Sequence, residues 1–145
     1  MHLAQANVAR MLTGFDDPTM SDFMAELDAV NATADAAPGF IWRFIEDDDG
    51  AEVQRVFGED NLLFNMSVWD SVESLERYVY ESRHVDVMRR RAKWFEKPAR
   101  SPFALWWIEA GHLPSVEEAF KRLERLWKEG PTADAFTFRH RYSRA

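Results

Sequence analysis

The chain has 145 residues, the length of a single domain (1–145) with its own buried core. It contains no cysteine, so disulfides, thiolate nucleophiles and cysteine-ligated metal centres are excluded. The net charge of −7 and the lack of a long apolar run argue against a nucleic-acid or membrane partner; the N-terminal residues do not resemble a signal peptide, so we expect a cytoplasmic protein.

The first half of the chain predicts a capped helix between strands. His2–Ala9 is the first candidate strand. A helix then begins with Asp17 as its N-cap and Pro18 in its first turn. Phe40–Glu46 is aromatic and β-branched, so it predicts a second strand. The pattern at Val53–Phe57 is ambiguous between a strand extension and a loop.

The next strand, Leu62–Trp69, divides its side chains cleanly between two faces. One face is wholly apolar and is expected to meet helices. The other carries Asn65, Ser67 and Trp69, which we expect to enclose a cavity and to orient a ligand by hydrogen bonds. The alternative is a subunit interface, in which a partner or trapped water would satisfy the polar groups.

Helical periodicity resumes directly after this strand. Asp70 and Glu73 have the spacing of a capping box and predict the start of a helix. A second helix is predicted over His84–Phe95, and Phe103–Glu109 reads as the next strand.

The C-terminal part predicts one more helix and one more strand. Ser115 and Glu118 form a capping box, and Gly130-Pro131 ends the helix that follows. Phe136–Tyr142 is the last predicted strand.

This element order predicts an α+β fold. Its first part matches the split βαβ pattern of ferredoxin-like folds, with an additional C-terminal helix and strand. Helices would cover one face of such a sheet and leave the other bare. Because aromatic residues make up 14% of the chain, a bare face would favour association. We therefore expect a homodimer that closes two sheets face to face into a dimeric α/β barrel.

The run from Leu62 to Leu75, followed by Ser82-Arg83-His84, resembles the dimeric α/β-barrel superfamily, which includes antibiotic-biosynthesis monooxygenases and small haem-degrading monooxygenases. Within it, the chain resembles a bacterial family known as domain of unknown function 3291. The segments that carry this closer resemblance are Pro38–Arg43, Tyr80–Phe95, Leu105–Pro114, Gly130–Thr132 and Ala135–Phe138.

The superfamily resemblance implies that the binding site is the barrel lumen of each subunit. By analogy with its cofactor-free monooxygenases, Asn65, Trp69, Arg83 and Tyr78 would surround a polycyclic substrate. By analogy with its haem-degrading members, Asn7, Tyr78 and His84 would hold a haem, with His84 on the iron. Here His84 follows Tyr78 by only about one to two helical turns, closer than in the haem enzymes.

The leading hypothesis is a small-molecule-binding protein that acts as a cofactor-free monooxygenase on an aromatic or apolar metabolite. His84 and Tyr78 would move protons, and polar or developing negative oxygen would be held by Asn65, Ser67 and Arg83. Trp69 and Trp107 would stack on the ligand. No metal site is predicted, since the four histidines have no metal-binding spacing. The alternatives are a haem protein and a non-catalytic binding or interaction module.

Three of these predictions have a structural alternative. His84 could serve only as a junction residue between two helices. The tryptophans could belong to the core or an interface, and at most one of the adjacent Trp106 and Trp107 can line a cavity. The basic run Arg89–Lys93 could bind an anion, or it could be a solvated helix face.

Overall fold

A computed structural model describes residues 1–14, 17–45, 51–59, 61–81 and 89–143. The strands are β1 (His2–Arg10), β2 (Phe40–Arg43), β3 (Leu62–Trp69) and β4 (Phe103–Ile108). The helices are α1 (Ser21–Asp35), α2 (Ala51–Phe57), α3 (Val72–Glu81) and α4 (Val116–Glu129). Single 3-10 turns occur at Pro18–Met20 and Arg91–Lys93.

The four strands form one antiparallel sheet in the order β2-β3-β1-β4. β1 and β3 lie at its centre. Helix α1 follows β1 and precedes β2, yet β3 lies between those two strands in the sheet. Likewise α3 follows β3 and precedes β4, with β1 between them. This is the split βαβ arrangement of the ferredoxin-like fold, as the sequence predicted.

Two predicted helix starts are confirmed by their capping hydrogen bonds. The Asp17 carboxylate accepts a hydrogen bond from the backbone N–H of Thr19 at 2.9 Å, with Pro18 in the first turn. Ser115 Oγ accepts from the backbone N–H of Glu118 at 3.1 Å. Each cap gives a partner to a backbone donor that the helix leaves unpaired.

The start of α3 differs from the prediction by one residue. Ser71 Oγ accepts from the backbone N–H of Ser74 at 3.1 Å, so Ser71 is the N-cap and Asp70 is not. Asp70 directly follows the strand, and its own N–H donates to the Gly39 carbonyl at 2.8 Å.

The apolar face of the sheet, here called the outer face, is covered by α4 and α2. Its buried residues are Ala4, Ala6, Leu62, Phe64, Met66, Val68, Ala104, Trp106 and Ile108. From α4, Val116, Leu123 and Leu126 pack against them, and Val53 does so from α2. Apolar contacts at helical spacing on α4 explain why this helix lies flat on the sheet.

The opposite face, here called the cavity face, lies towards α1 and α3. Its strand residues are Leu3, Gln5, Asn7, Leu63, Asn65, Ser67, Trp69, Phe103 and Leu105. Leu75 of α3 packs with Leu3 and Trp69 near one end, and Phe23 of α1 belongs to the same cluster as Leu63 near the other. The predicted division of faces on β3 is therefore confirmed.

The expectation of a bare sheet face is wrong for this chain. Within the described residues, α1 and α3 cover one face and α2 and α4 cover the other. The polar face of β3, which was expected to lie away from helices and to meet a second sheet, lies under α1 and α3 instead. Helices of the same chain, and not a second sheet, therefore cover that face.

Two further segments differ from the predicted elements. Val53–Phe57, predicted as strand or loop, lies within α2, because Val53, Val56 and Phe57 all pack on the outer face at helical spacing. The predicted last strand is reduced to one bridge between Phe136 and Leu105. Mutual backbone bonds between Thr137 and His140 turn the chain away from β4 after that bridge.

The predicted helix His84–Phe95 is only partly described, since residues 82–88 lie outside the described ranges. Its end is not helical: the 3-10 turn at Arg91–Lys93 leads to Phe95, which bridges to Met11. None of the helices in the described ranges is long and apolar enough to span a membrane.

Candidate functional site

A cavity of about 400 Å³ lies between the cavity face of the sheet and helices α1 and α3. Pockets that bind small organic molecules have volumes of about 300–1,000 Å³. The walls are mostly apolar and include Phe23, Leu27, Val30, Leu63, Leu75 and Phe103. Four polar side chains of the central strands, here called the polar floor, complete the lining: Gln5, Asn7, Asn65 and Ser67. The cavity therefore combines apolar walls with a localised polar surface.

Strand register brings the polar floor together. Gln5 of β1 lies opposite Ser67 of β3, and Asn7 lies opposite Asn65. Side chains directly opposite each other on antiparallel strands point to the same face, with Cβ atoms about 4.5–5.5 Å apart. Two pairs of residues that lie about 60 positions apart along the chain thus form one patch.

The polar floor is a connected hydrogen-bond network. Gln5 Nε2 donates to Asn65 Oδ1 at 2.8 Å and to Ser67 Oγ at 2.7 Å. Asn7 Nδ2 donates to Gln5 Oε1 at 3.0 Å and, more weakly, to Asn65 Oδ1 at 3.4 Å. Trp69 Nε1 donates to Ser67 Oγ at 2.8 Å. Gln5, only 3% exposed, is the centre of this network.

The network leaves hydrogen-bond donors available to a ligand. Ser67 Oγ accepts two hydrogen bonds, so its own O–H remains free to donate. Asn65 Oδ1 is likewise occupied, while Asn65 Nδ2 donates to no acceptor within the described part of the chain. Both residues line the cavity. A carbonyl or phenolate oxygen placed over them would find two donors.

Trp69 and Tyr78 form the aromatic part of the lining. Their rings stack with centroids 5.3 Å apart and 28° between their planes. The Tyr78 hydroxyl donates to the Val30 carbonyl of α1 at 3.0 Å. Burial raises the pKa of Tyr78, outweighing the opposing effect of a hydrogen bond with Thr33. The phenol is therefore protonated at neutral pH, and its proton is directed at a backbone carbonyl.

A charged pair borders the polar floor on the β2 side. A register shift between Phe40 and Trp42 brings Arg43 opposite Ser67 on the cavity face, while Trp42 packs on the outer face. Arg43 lines the cavity, and its Nε donates to Asp35 Oδ1 at 2.8 Å. The second nitrogen that reaches this carboxylate lies at 3.4 Å, so part of the guanidinium remains available to other acceptors.

The structure brings together five of the predicted site residues. They are Asn7, Asn65, Ser67, Trp69 and Tyr78, all of which line the cavity. Arg83 and His84 lie outside the described residues, so their roles stay predictions.

Trp107 does not line the cavity, contrary to the role predicted for it. Its indole donates to the Tyr142 carbonyl at 2.9 Å, and its ring packs near Phe136. The C-terminal segment thus covers this end of the cavity face. Its neighbour Trp106 belongs to the outer face and donates to Glu118 Oε2 at 2.9 Å. Neither member of the pair lines the cavity.

Gln5 and Arg43 are among the lining residues that the sequence analysis missed. Gln5 could have been found, because it precedes Asn7 by two positions on a predicted strand and must share its face. Arg43 could not, because its position depends on a register shift that leaves no pattern in the sequence.

The basic segment has mixed roles rather than one. Arg91 lines the cavity, Arg90 forms an ion pair with Glu26 of α1, and Lys93 is exposed. Part of the run therefore reaches the site, and part is the solvated surface that the alternative interpretation expected.

The described lining has few side chains that could ligate a metal ion or a haem iron. In the described ranges, no group of three or more His, Asp or Glu side chains could hold a metal ion. Haem iron is ligated by His, Cys, Met or Tyr. The described lining contains only tyrosines of this set, and the Tyr78 hydroxyl is already hydrogen-bonded to Val30. His84, the iron ligand suggested by the sequence, lies outside the described residues.

A family model described as domain of unknown function DUF3291 matches residues 2–145. The chain belongs to the DUF3291 family. This confirms the family to which the segments from Pro38 to Phe138 pointed. No curated protein matches the DUF3291 chain significantly in sequence.

Solved structures share the fold of this DUF3291 chain at low sequence identity. A conserved protein from Methanosarcina mazei Go1 aligns with a TM-score of 0.54 and 11% identity, covering 75% of this chain and 94% of that one. SnoaB, a cofactor-independent oxygenase from Streptomyces nogalater, aligns with a TM-score of 0.51 and 15% identity, covering 79% of this chain and 98% of that one. These similarities show that the chain shares its ferredoxin-like fold with these proteins.

Proposed function

We propose that the protein binds a small, largely apolar aromatic molecule in the cavity and oxygenates it without a metal or flavin. The observation that carries this proposal is the combination of apolar walls with donors at Asn65 and Ser67. An aromatic ring would bury its surface beside Trp69 and α1 and direct its oxygen towards the polar floor. The shared fold with a cofactor-independent oxygenase supports the reaction class.

The proposed reaction converts a methylene group next to a phenol-bearing ring into a carbonyl. One atom of dioxygen becomes the carbonyl oxygen, and the other leaves as water with the two methylene hydrogens. The substrate itself supplies the electrons, so no further reductant is needed. Loss of the first proton places negative charge on a substrate oxygen. Donation from Ser67 O–H and Asn65 Nδ2 would stabilise that charge.

The proton acceptor in this proposal is His84, with Arg83 as a further holder of negative charge. Tyr78 is less suited to accept the proton, because burial raises its pKa and its hydroxyl already donates to Val30. Residues 78–80 of α3 line the cavity, and the helix ends at Glu81, three positions before His84. The last described residues before His84 therefore lie beside the cavity.

An oxygen-uptake assay tests the proposal directly. Purified protein is mixed with a panel of anthrone-type ketones in the presence of a metal chelator. We expect consumption of one dioxygen per product without release of peroxide. His84→Ala should lower the rate by about 100-fold or more. His112→Ala, at an exposed residue just before the start of α4, should retain the wild-type rate. Absence of turnover and of binding across the panel would contradict the proposal.

A haemin titration separates the proposal from its haem alternative. If haemin shows a shifted Soret band with the wild type and this shift is lost in His84→Ala, the protein binds haem and the oxygenation proposal is abandoned. An unchanged haemin spectrum in both proteins is the result that the cofactor-free proposal expects.

The proposal retains a homodimer, now through an edge of the sheet. β2 is the edge strand next to β3, and Ile41 and Ile45 are 40% and 66% exposed. Pairing of two such edges would bury both side chains and satisfy free backbone groups. Sedimentation equilibrium should give twice the chain mass, and Ile41→Lys should give the single mass. A wild-type monomer would contradict the dimer without affecting the cavity.

A further inference from the structure

We infer that the polar floor can reverse the direction of all its hydrogen bonds as a unit, so that it binds both the hydroxyl form and the carbonyl form of one aromatic ligand. This inference rests on the proposed function only in taking the cavity as the ligand site. It concerns the class of ligand oxygen that the site recognises.

The composition of the polar floor makes the reversal possible. Three of its four members are amides, and rotation of an amide by 180° exchanges its donor and acceptor without changing its shape. In the present direction, Gln5 donates to Asn65 and Ser67, and Asn7 donates to Gln5 and Asn65. When all three amides rotate, Asn65 and Ser67 donate to Gln5, while Gln5 and Asn65 donate to Asn7. The same four pairs of residues remain bonded.

The anchor of the network is compatible with both directions. The indole N–H of Trp69 can only donate, and it occupies one lone pair of Ser67 Oγ at 2.8 Å. Ser67 retains one hydrogen and one further lone pair. It can therefore either accept from Gln5 or donate to Gln5 while keeping the Trp69 bond.

The two directions present opposite groups to the cavity. In the present one, Asn65 Nδ2 and the Ser67 O–H are free to donate, which suits a ligand carbonyl or oxyanion. In the reversed one, Asn65 Oδ1 is free to accept, which suits a ligand hydroxyl. A carboxylate at this position could only accept and would bind the hydroxyl form alone, and an aliphatic side chain would bind neither form by a hydrogen bond. The site therefore takes aromatic molecules whose oxygen changes between O–H and C=O during a reaction.

Three tricyclic probes of nearly identical shape measure this property: fluorene, 9-fluorenol and 9-fluorenone. Binding is followed by quenching of tryptophan fluorescence or by calorimetry. We expect the alcohol and the ketone to bind within about threefold of each other, and each about 3- to 10-fold more tightly than fluorene. A preference for one of the two beyond about tenfold would show a floor of fixed direction and overturn the inference.

Asn65→Asp tests the same point by fixing the direction. Its carboxylate, ionised at about pH 8, can only accept, so Gln5 must donate to it and the second oxygen faces the cavity. In this variant the affinity for fluorenone should fall relative to the affinity for fluorenol by about tenfold or more. Asn31→Asp places the same charge on the α1 wall of the cavity and not on the sheet, where it has no bond to the polar floor among the described contacts, and should leave the ratio of the two affinities unchanged. An equal change of ratio in both variants would overturn the inference.

Fluorene itself separates this inference from the proposed function. If none of the three probes binds, the cavity is not a ligand site and the proposed function falls with the inference. If fluorene binds and the oxygen of either derivative adds nothing, only the inference is overturned. Because the three probes are compared in the wild type, the result does not depend on whether a variant folds.

Discussion

The indole of Trp69 and the phenol of Tyr78 stack at the end of β3, with ring centroids 5.3 Å apart. Trp69 also donates to Ser67 on its own strand, and Tyr78 donates to the Val30 carbonyl of α1. One aromatic pair therefore connects the polar floor, α3 and α1. The walls and the floor of the cavity are held together at this point.

Replacement of Trp69 should weaken both stability and ligand binding. Trp69→Ala removes a side chain that is 1% exposed and should lower the free energy of unfolding by about 3–5 kcal/mol. Trp69→Phe retains a ring against Tyr78 but loses the hydrogen bond to Ser67. We expect it to lower the free energy of unfolding by about 1–3 kcal/mol. Urea titration measures both. Trp107→Phe, outside the cavity, should leave fluorenone affinity within about twofold; an equal loss in both phenylalanine variants would contradict the site.

The central position of Gln5 predicts a strong energetic coupling to Ser67. Gln5→Met keeps the length of the side chain but leaves buried polar partners unpaired, which should cost about 1–3 kcal/mol of unfolding free energy. The double variant with Ser67→Ala should cost less than the sum by about 0.5–3 kcal/mol. Ser115→Ala, at the N-cap of α4, provides the control because its effect should add to that of Gln5→Met. If the effects add in both double variants, the Gln5–Ser67 hydrogen bond contributes nothing to the free energy of unfolding.

Gly39 is required where α1 connects to β2. Its φ is +87°, and a Cβ there would overlap Ser74 Oγ and Asp70 Oδ1 at the start of α3. Gly58 has a φ of +73° with open space around it, so Gly58→Ala measures backbone strain alone, about 1–2 kcal/mol. Gly39→Ala should lower the free energy of unfolding by about 1–3 kcal/mol more than Gly58→Ala does, because steric overlap of the new Cβ adds to the backbone strain. Equal thermal midpoints for the two variants would show that the overlap is relieved.

Tyr78 predicts a loss of stability at alkaline pH. Burial raises the pKa of its phenol above the ordinary value of 10.0. Above about pH 10 the unfolded chain releases this proton while the folded protein keeps it, so stability is complete below that pH and falls as the pH rises towards the folded pKa. Tyr78→Phe should be less stable than the wild type by about 1 kcal/mol at neutral pH, but its stability should fall less steeply as the pH rises.

Thermal unfolding between about pH 8 and pH 11 measures this difference. Tyr80→Phe is the matched control, because the Tyr80 side chain is 61% exposed. Its alkaline decline should equal that of the wild type. A parallel decline in Tyr78→Phe would exclude the buried phenol as the cause.

The chain by itself determined the parts of this protein that depend on near neighbours. Side chains alternate between the two faces of β3. The sequence therefore predicts that Asn65, Ser67 and Trp69 share one face and line a cavity. Capping residues at Asp17 and Ser115 marked two helix starts for the same reason. Period and capping are local properties, because they depend on residues within a few positions of one another.

Tertiary structure alone decided which elements cover each face and which distant residues meet. Nothing near α4 in the chain shows that it covers the outer face, and the register shift that brings Arg43 to Ser67 leaves no local pattern. Gln5 became the centre of the polar floor only when β1 paired with β3. Such choices depend on the total apolar area buried and on hydrogen bonds across about 60 residues, which no short segment encodes.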